Sequence, residues 1–322
     1  HLDRRGLMHS RSIFEPYNIK NLRRVLRNPR NLYLEFLLLN GWFYRRTAPS
    51  DRLDVVSRDW DNLLILDACR YDTFARIADL PGTLECAVSP GAESWEFLKE
   101  SFVGRSLHDT VYITANPHAY KIPDGTFHKQ VNLLDNAWDE DLRTVTPDQV
   151  VESTLDIHEQ YPNKRLVIHF MQPHYPFIGP GSTESYGGIQ MHLSEREQSG
   201  YPSPWTTLLG PLSGGVEAMI SAYEENLRVA LPHVRRLIET LNGQSVVTAD
   251  HGNLLGEWTF PIPVRGYGHP KRVHHPKLLE VPWNVIEGNR RDISVEPPEG
   301  RDGIDNETIT NRLQDLGDKI RR

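Results

Sequence analysis

Four short apolar runs, each closed by polar or turn-forming residues, stand out along the chain: NLLILDA (62–68), VYITA (111–115), RLVIHFM (165–171) and QSVVTA (244–249). Runs this short and this uniformly apolar are the pattern of strands buried on both faces. Between them, apolar positions recur at helical spacing. TPDQVVESTLDIHEQY predicts a helix with Thr146 as N-cap and Pro147 at its first position. Residues 215–241 predict a long amphipathic helix that Pro232 kinks or divides. Strands alternating with helices predict an α/β fold whose sheet is covered on both sides.

Three other stretches break this rhythm. Residues 178–215 are dense in Gly, Pro and Ser and carry Tyr186, Tyr201 and Trp205, which predicts a long loop or lid over a pocket. After Asn289 the chain turns polar and Pro-rich, then ends in a short helical pattern that Asp305 is placed to cap. The first 46 residues hold ten Lys and Arg against three acids, around the apolar run NLYLEFLLLNGWF. That run is too short to span a bilayer and shows no secretory cleavage site. It reads either as a helix docked on the domain with solvated arginines, or as a basic amphipathic segment on an anionic surface. The numbering opens on His1, with Met8 available as a start. The expected division is a basic helical segment (1–50), a catalytic domain (51–288), and a polar linker with a terminal helix (289–322).

Composition narrows this further. A chain of 322 residues can bury a large core, and its net charge of −7 argues against nucleic acid as a partner. Two cysteines, Cys69 and Cys86, cannot build a disulfide framework, so a cytoplasmic location is expected, with peripheral membrane contact through the N-terminal segment as an option.

Chemistry concentrates where the strands end, which is where an α/β sheet presents its ligand site. The first run delivers Asp67, the third His169 and then His174, and the fourth Asp250, His251 and Gly252. YGHPKRVHH adds His269, His274 and His275. Singly, such an aspartate caps a helix and such a histidine is a hydrogen-bonded structural residue. Jointly, carboxylates and imidazoles from several strands suit a divalent metal ion.

LILDACRYD followed by a serine, HFMQPHYPF, TADHGNLLGE and YGHP, in that order, resemble the sulfatase-like branch of the alkaline phosphatase superfamily. The resemblance spans roughly residues 62–283, and the terminal RLQDLGD is similar to the end of many sulfatases. It implies a three-layer α/β/α sandwich with a mixed, mostly parallel central sheet, one or two divalent metals (Zn, Mn, Mg or Ca), and a nucleophile that attacks phosphorus or sulfur. Carried over residue by residue, it makes Asp67, Asp250 and His251 ligands of one metal and His269 a ligand of the same or a second one. His174 falls where the family binds substrate oxyanion or metal, with His275 and His169 in reserve.

For the nucleophile, AVSPGAESWEFLKESF offers Ser94 just before a helical run, with Ser89 as competitor. A helix N-terminus offers N–H groups to a developing negative charge, although Ser94 in that place is equally a cap. Neither cysteine sits in the Cys-x-Pro-x-Arg pattern of formylglycine sulfatases, which favours phosphoryl transfer through serine. Arg70 either touches a substrate anion or pairs with Asp72.

The reading is a metal-dependent hydrolase of phosphate or sulfate esters acting on a small-molecule, glycan or lipid head-group ester. The alternatives are a phosphomutase or head-group transferase of the same fold, and a non-catalytic binding or scaffold relative in polysaccharide or envelope assembly.

Overall fold

The computed structural model describes residues 29–47, 51–180, 215–301 and 306–315. Along the chain run α1 (Pro29–Thr47), β1 (Asn62–Leu66), α2 (Tyr71–Ile77), β2 (Thr83–Val88), α3 (Ser94–Phe102), β3 (Leu107–Thr114), a 3-10 turn (Pro117–Lys121), β4 (Phe127–Asn132), α4 (Leu133–Asn136), β5 (Trp138–Asp139), β6 (Thr144–Val145) and α5 (Pro147–Gln160). There follow β7 (Arg165–Phe170), α6 (Gly215–Thr240), β8 (Ser245–Ala249), β9 (Leu254–Thr259), β10 (Val264–Gly268), α7 (Pro276–Leu279), β11 (Glu280–Ile286), β12 (Gly300–Arg301) and α8 (Asn306–Asp315).

Eight strands form one sheet in the order β12-β4-β3-β7-β1-β8-β11-β2. The pairs from β12 to β8 are parallel, whereas β11 is antiparallel to both of its neighbours. The sheet is therefore mixed and mostly parallel, as the family resemblance implied.

Alternation along β1 explains the three layers. Side chains of a strand point to opposite faces in turn, so Leu64 and Leu66 enter one core and Leu63 and Ile65 the other. The first core is closed by Phe74 of α2, Val150 and Val151 of α5, and Leu227, Val234 and Leu237 of α6. Phe97, Leu98 and Phe102 of α3 close the second, with Trp60 and Tyr112. All four β1 side chains are fully buried, each contributing about 1.5–3 kcal/mol.

The four predicted strands are β1, β3, β7 and β8, neighbours at the centre of the sheet. β3 starts four residues ahead of its apolar run, at Leu107. Thr146 holds the N-cap position of α5 by its backbone, without a side-chain cap. Pro232 does not divide α6, which runs unbroken from Gly215 to Thr240. One missing N–H is tolerated in a helix whose Tyr223, Leu227, Ala230, Val234 and Leu237 are buried. Most of the expected lid (181–214), the cap Asp305 and the basic stretch before Pro29 lie outside the described residues. No helix among the described residues is long and apolar enough to cross a membrane.

Candidate metal and nucleophile site

β3, β7, β1 and β8 are neighbours and parallel, so their carboxyl ends open on one edge of the sheet. One residue beyond β1 stands Asp67, and just beyond β8 stand Asp250 and His251. These three are buried, with one ligand atom from each lying within 4.8 Å of the others.

Their orientation is fixed from behind. Asn116, in the loop after β3, donates from Nδ2 to Asp67 Oδ2 at 2.7 Å. Ala68 N–H donates to Asp250 Oδ1 at 3.0 Å, tying the two aspartates together. This contact requires Ala68 at φ +59°, a left-handed conformation costly for any residue with a Cβ. Tyr223, reaching across from α6, locks the turn: its hydroxyl donates to Ala68 O at 2.7 Å and accepts from Arg70 N–H at 3.1 Å. Ser89 donates its hydroxyl to the Asp250 carbonyl and accepts from Gly91 N–H.

The His251 tautomer follows from its neighbours. Nδ1 lies 2.7 Å from Gly252 O, so the proton sits on Nδ1 and the Nε2 lone pair faces inward. That Nε2 lies 3.6 Å from Asp67 Oδ1 and 3.5 Å from Asp250 Oδ2. Asp250 Oδ2 is buried with no hydrogen-bond partner, an expensive arrangement for a carboxylate oxygen unless a cation completes it. Burial alone would push the Asp250 carboxyl up, but its polar neighbours, the Ala68 N–H among them, outweigh it and bring its pKa below the ordinary carboxylate value. Two oxygen donors and one imidazole nitrogen fit a borderline divalent ion. Burial, then the charges of Asp250 and Asp72, push the pKa of the Cys69 thiol, two residues on from Asp67, up.

Ser94 opens α3 and is buried. Its Oγ lies 3.3 Å from His251 Nε2 and 3.5 Å from Asp67 Oδ2. The expectation that Ser94 caps this helix is corrected. Glu93 is the cap, and its carboxylate accepts from Trp95 N and Glu96 N. The longer acid reaches both N–H groups, which leaves the Ser94 hydroxyl to face the aspartates. The same contacts occupy two of the N–H groups that the sequence offered to a developing anion. Ser89, by contrast, is occupied by its backbone contacts.

His269 stands beside His251 and is in turn paired with His174. The Nε2 atoms of the pair are 2.9 Å apart, and the His269 ring centroid lies 4.7 Å from that of His251. His174 Nδ1 faces Tyr175 O, so Nδ1 carries its proton and Nε2 accepts from His269 in the neutral pair. His169 lies behind the cluster. It is fully buried, 2.9 Å from the Tyr112 hydroxyl and 3.8 Å from Asp250 Oδ2, with its pKa pushed down by burial to about 4.

Arg70 forms the bidentate pair with Asp72 at 2.8 and 2.7 Å, and its third nitrogen reaches Glu257 and Asn253 O. His275 is placed apart from the cluster, where its Nδ1 caps α7 by accepting from Lys277 N–H. A Cβ on Gly252 would meet Lys277 O at 2.2 Å, so the bare Cα admits the backbone of α7.

Sequence reasoning missed Asn116 and Tyr223. An Asn-Pro step just past a strand end is a usable signal for the first. A tyrosine within an amphipathic helix gives none for the second.

No protein-family model and no curated protein matches the chain. Among solved structures it is similar to the C-terminal periplasmic domain of EptC from Escherichia coli in complex with Zn, at 12% identity over 74% of this chain and 76% of that one, TM-score 0.48. It is also similar to a putative sulfatase from Bacteroides thetaiotaomicron, at 9% identity over 81% and 71%, TM-score 0.43. A third is the lipoteichoic acid synthase LtaP from Listeria monocytogenes, at 13% identity over 80% and 72%, TM-score 0.41. At these identities and scores nothing about chemistry follows, and the site is read from its own side chains. The motif resemblance to the sulfatase-like branch of the alkaline phosphatase superfamily thus stands beside a mixed α/β sheet with a buried Asp-Asp-His cluster at its carboxyl edge.

Proposed function

We propose that the protein is a metal-dependent enzyme that cleaves a phosphate or sulfate ester by transferring the phosphoryl or sulfuryl group through Ser94. The observation that carries the reading is the Ser94 hydroxyl, placed within 3.5 Å of both an aspartate and a histidine of one buried cluster. Asp67, Asp250 and His251 would hold the ion. Bound there, a divalent ion supplies Lewis-acid stabilisation of the ester oxygens and lowers the pKa of the serine hydroxyl.

The chain's own residues do the rest. Asp67 Oδ2, held by Asn116, accepts the Ser94 hydroxyl hydrogen as Oγ bonds to phosphorus or sulfur and the bond to the leaving oxygen breaks. The His174–His269 pair, in the state carrying one proton more than the neutral pair, delivers that proton to the leaving oxygen and returns to the neutral pair. Water or an acceptor alcohol then takes the group from Ser94: as the bond to Oγ breaks, Asp67 returns its hydrogen to Oγ, and the neutral histidine pair receives the acceptor's proton.

The test is a matched panel of p-nitrophenyl phosphate, a phosphodiester and a sulfate, assayed after chelation and again with Zn²⁺, Mn²⁺, Mg²⁺ or Ca²⁺ restored. A metal-restored rate on one ester is expected, and adding alcohols separates hydrolysis from transfer. Equal rates before and after chelation would refute the metal's role. No turnover with any ester, metal or alcohol would favour a binding role.

A further inference from the structure

α1 is apolar on two sides. Its inner side docks on the domain: Leu37 is fully buried, and Gly41 approaches so closely that a Cβ would meet the backbone of Val273 and His274. Asn40 clamps the turn of the β9–β10 hairpin, donating to Thr259 Oγ1 at 2.7 Å and Ile262 O at 2.6 Å and accepting from Ile262 N–H at 2.9 Å. Helix and hairpin are thereby one unit.

The outer side is where solvent-exposed apolar residues gather. Of the nine exposed large hydrophobic residues among the described ones, six are on this unit: Leu34, Leu39, Trp42, Phe43, Trp258 and Phe260. Phe43, Trp258 and Phe260 line a common cavity of about 250 Å³ between helix and hairpin, so the two elements form one continuous face. A contiguous exposed apolar face of this kind marks an interaction site.

Charge identifies the occupant. The Arg46 guanidinium lies 4.1 Å from the centre of the Trp42 ring, and that of Arg265 lies 4.9 Å from that of Trp258. Arg45 stands beside Arg46, and Glu35 is the single acid of α1. Indole rings carrying guanidinium groups suit the boundary between acyl chains and head groups, where the ring is buried and the cation meets phosphate. A second copy seated symmetrically on this face would bring like-charged arginines together. We propose that this face seats on an anionic lipid bilayer surface, with α1 lying in the plane of the membrane and Trp42, Phe43, Trp258 and Phe260 inserted.

The experiment is co-sedimentation of the full chain with vesicles of equal parts phosphatidylglycerol and phosphatidylcholine, and with vesicles of phosphatidylcholine alone. Binding to the anionic vesicles and none to the neutral ones is expected, falling with added salt. Each arginine at such a surface contributes roughly fivefold, so Arg45→Ala with Arg46→Ala lowers the partition coefficient about 25-fold. Phe43→Glu with Phe260→Glu lowers it at least about tenfold, with circular dichroism and bound metal unchanged as the check on folding. No binding to anionic vesicles overturns the proposal. So does binding that the Phe pair leaves intact, which would place the contact elsewhere in the chain. A dimer in sedimentation velocity that the Phe pair dissolves, without vesicle binding, assigns the face to a second copy and also overturns it. None of these outcomes depends on ester turnover.

Discussion

Tyr223→Phe isolates the device that holds the two aspartates. The substitution keeps the ring, which is fully buried, and removes only the hydroxyl. That hydroxyl is the partner of two backbone groups, Ala68 O at 2.7 Å and Arg70 N–H at 3.1 Å. A buried polar group left without its partner costs about 1–3 kcal/mol, so the loss of both contacts should come to about 2–6 kcal/mol. For a chain of this size that corresponds to a fall in Tm of about 3–9 °C. The second effect reaches the site. Ala68 at φ +59° is held against its preference while its N–H orders Asp250. Without the tyrosine clamp, the turn relaxes and the carboxylates separate. Loss of such an outer support weakens metal affinity about 10–100-fold. Thermal unfolding and competition with a metal chelator measure the two effects separately. A Tyr223→Phe protein with wild-type Tm and wild-type metal affinity would refute this account of the turn.

Asn116→Ala removes the donor to Asp67 Oδ2 and should weaken metal binding about tenfold or more in the same competition assay. Gly252→Ala drives a Cβ to within 2.2 Å of Lys277 O, a backbone atom that cannot swing aside; a loss of about 3 kcal/mol or more is expected in denaturant unfolding. Asp61 is bound by Arg290 through two hydrogen bonds, at 2.6 and 3.2 Å. Burial raises its pKa, but the Arg290 and Gln244 N–H donors and the charges of Arg290 and Arg291 bring it below the ordinary value. Because the folded pKa lies below the unfolded one, the stabilisation is present above about pH 4 and drains as the pH falls through the lower folded value. Asp61→Asn should therefore flatten the stability profile below about pH 4, read by unfolding at a series of pH values.

The centre of the sheet was legible because β1, β3, β7 and β8 are shielded on both faces and so carry uninterrupted apolar runs. The rim was not. β2, TLECAV, is an edge strand with three exposed residues, and β4, FHKQVN, places His128, Gln130 and Asn132 in buried polar contacts that break any apolar signal. β11 contains Pro282, which argues against a strand of the interior, yet a proline is accommodated beside the outermost strand.

The site divides in the same way. Asp67, Asp250 and His251 follow their strands directly, so the strands disclosed them. Tyr223 stands 155 residues from the carbonyl it binds, and a left-handed alanine has no signature in its neighbours. At Ser94 the residue was visible but its partner was not. Glu93 and Ser94 are both able to cap a helix, and only the folded turn shows that the acid does so.

Turnover by Ser94→Ala, set beside Ser89→Ala and the wild type with metal restored after chelation, tests the central claim most directly. The account predicts that Ser94→Ala binds metal normally yet loses activity on the order of a thousandfold or more, while Ser89→Ala turns over with reduced stability. Wild-type turnover by Ser94→Ala with its metal bound would contradict it.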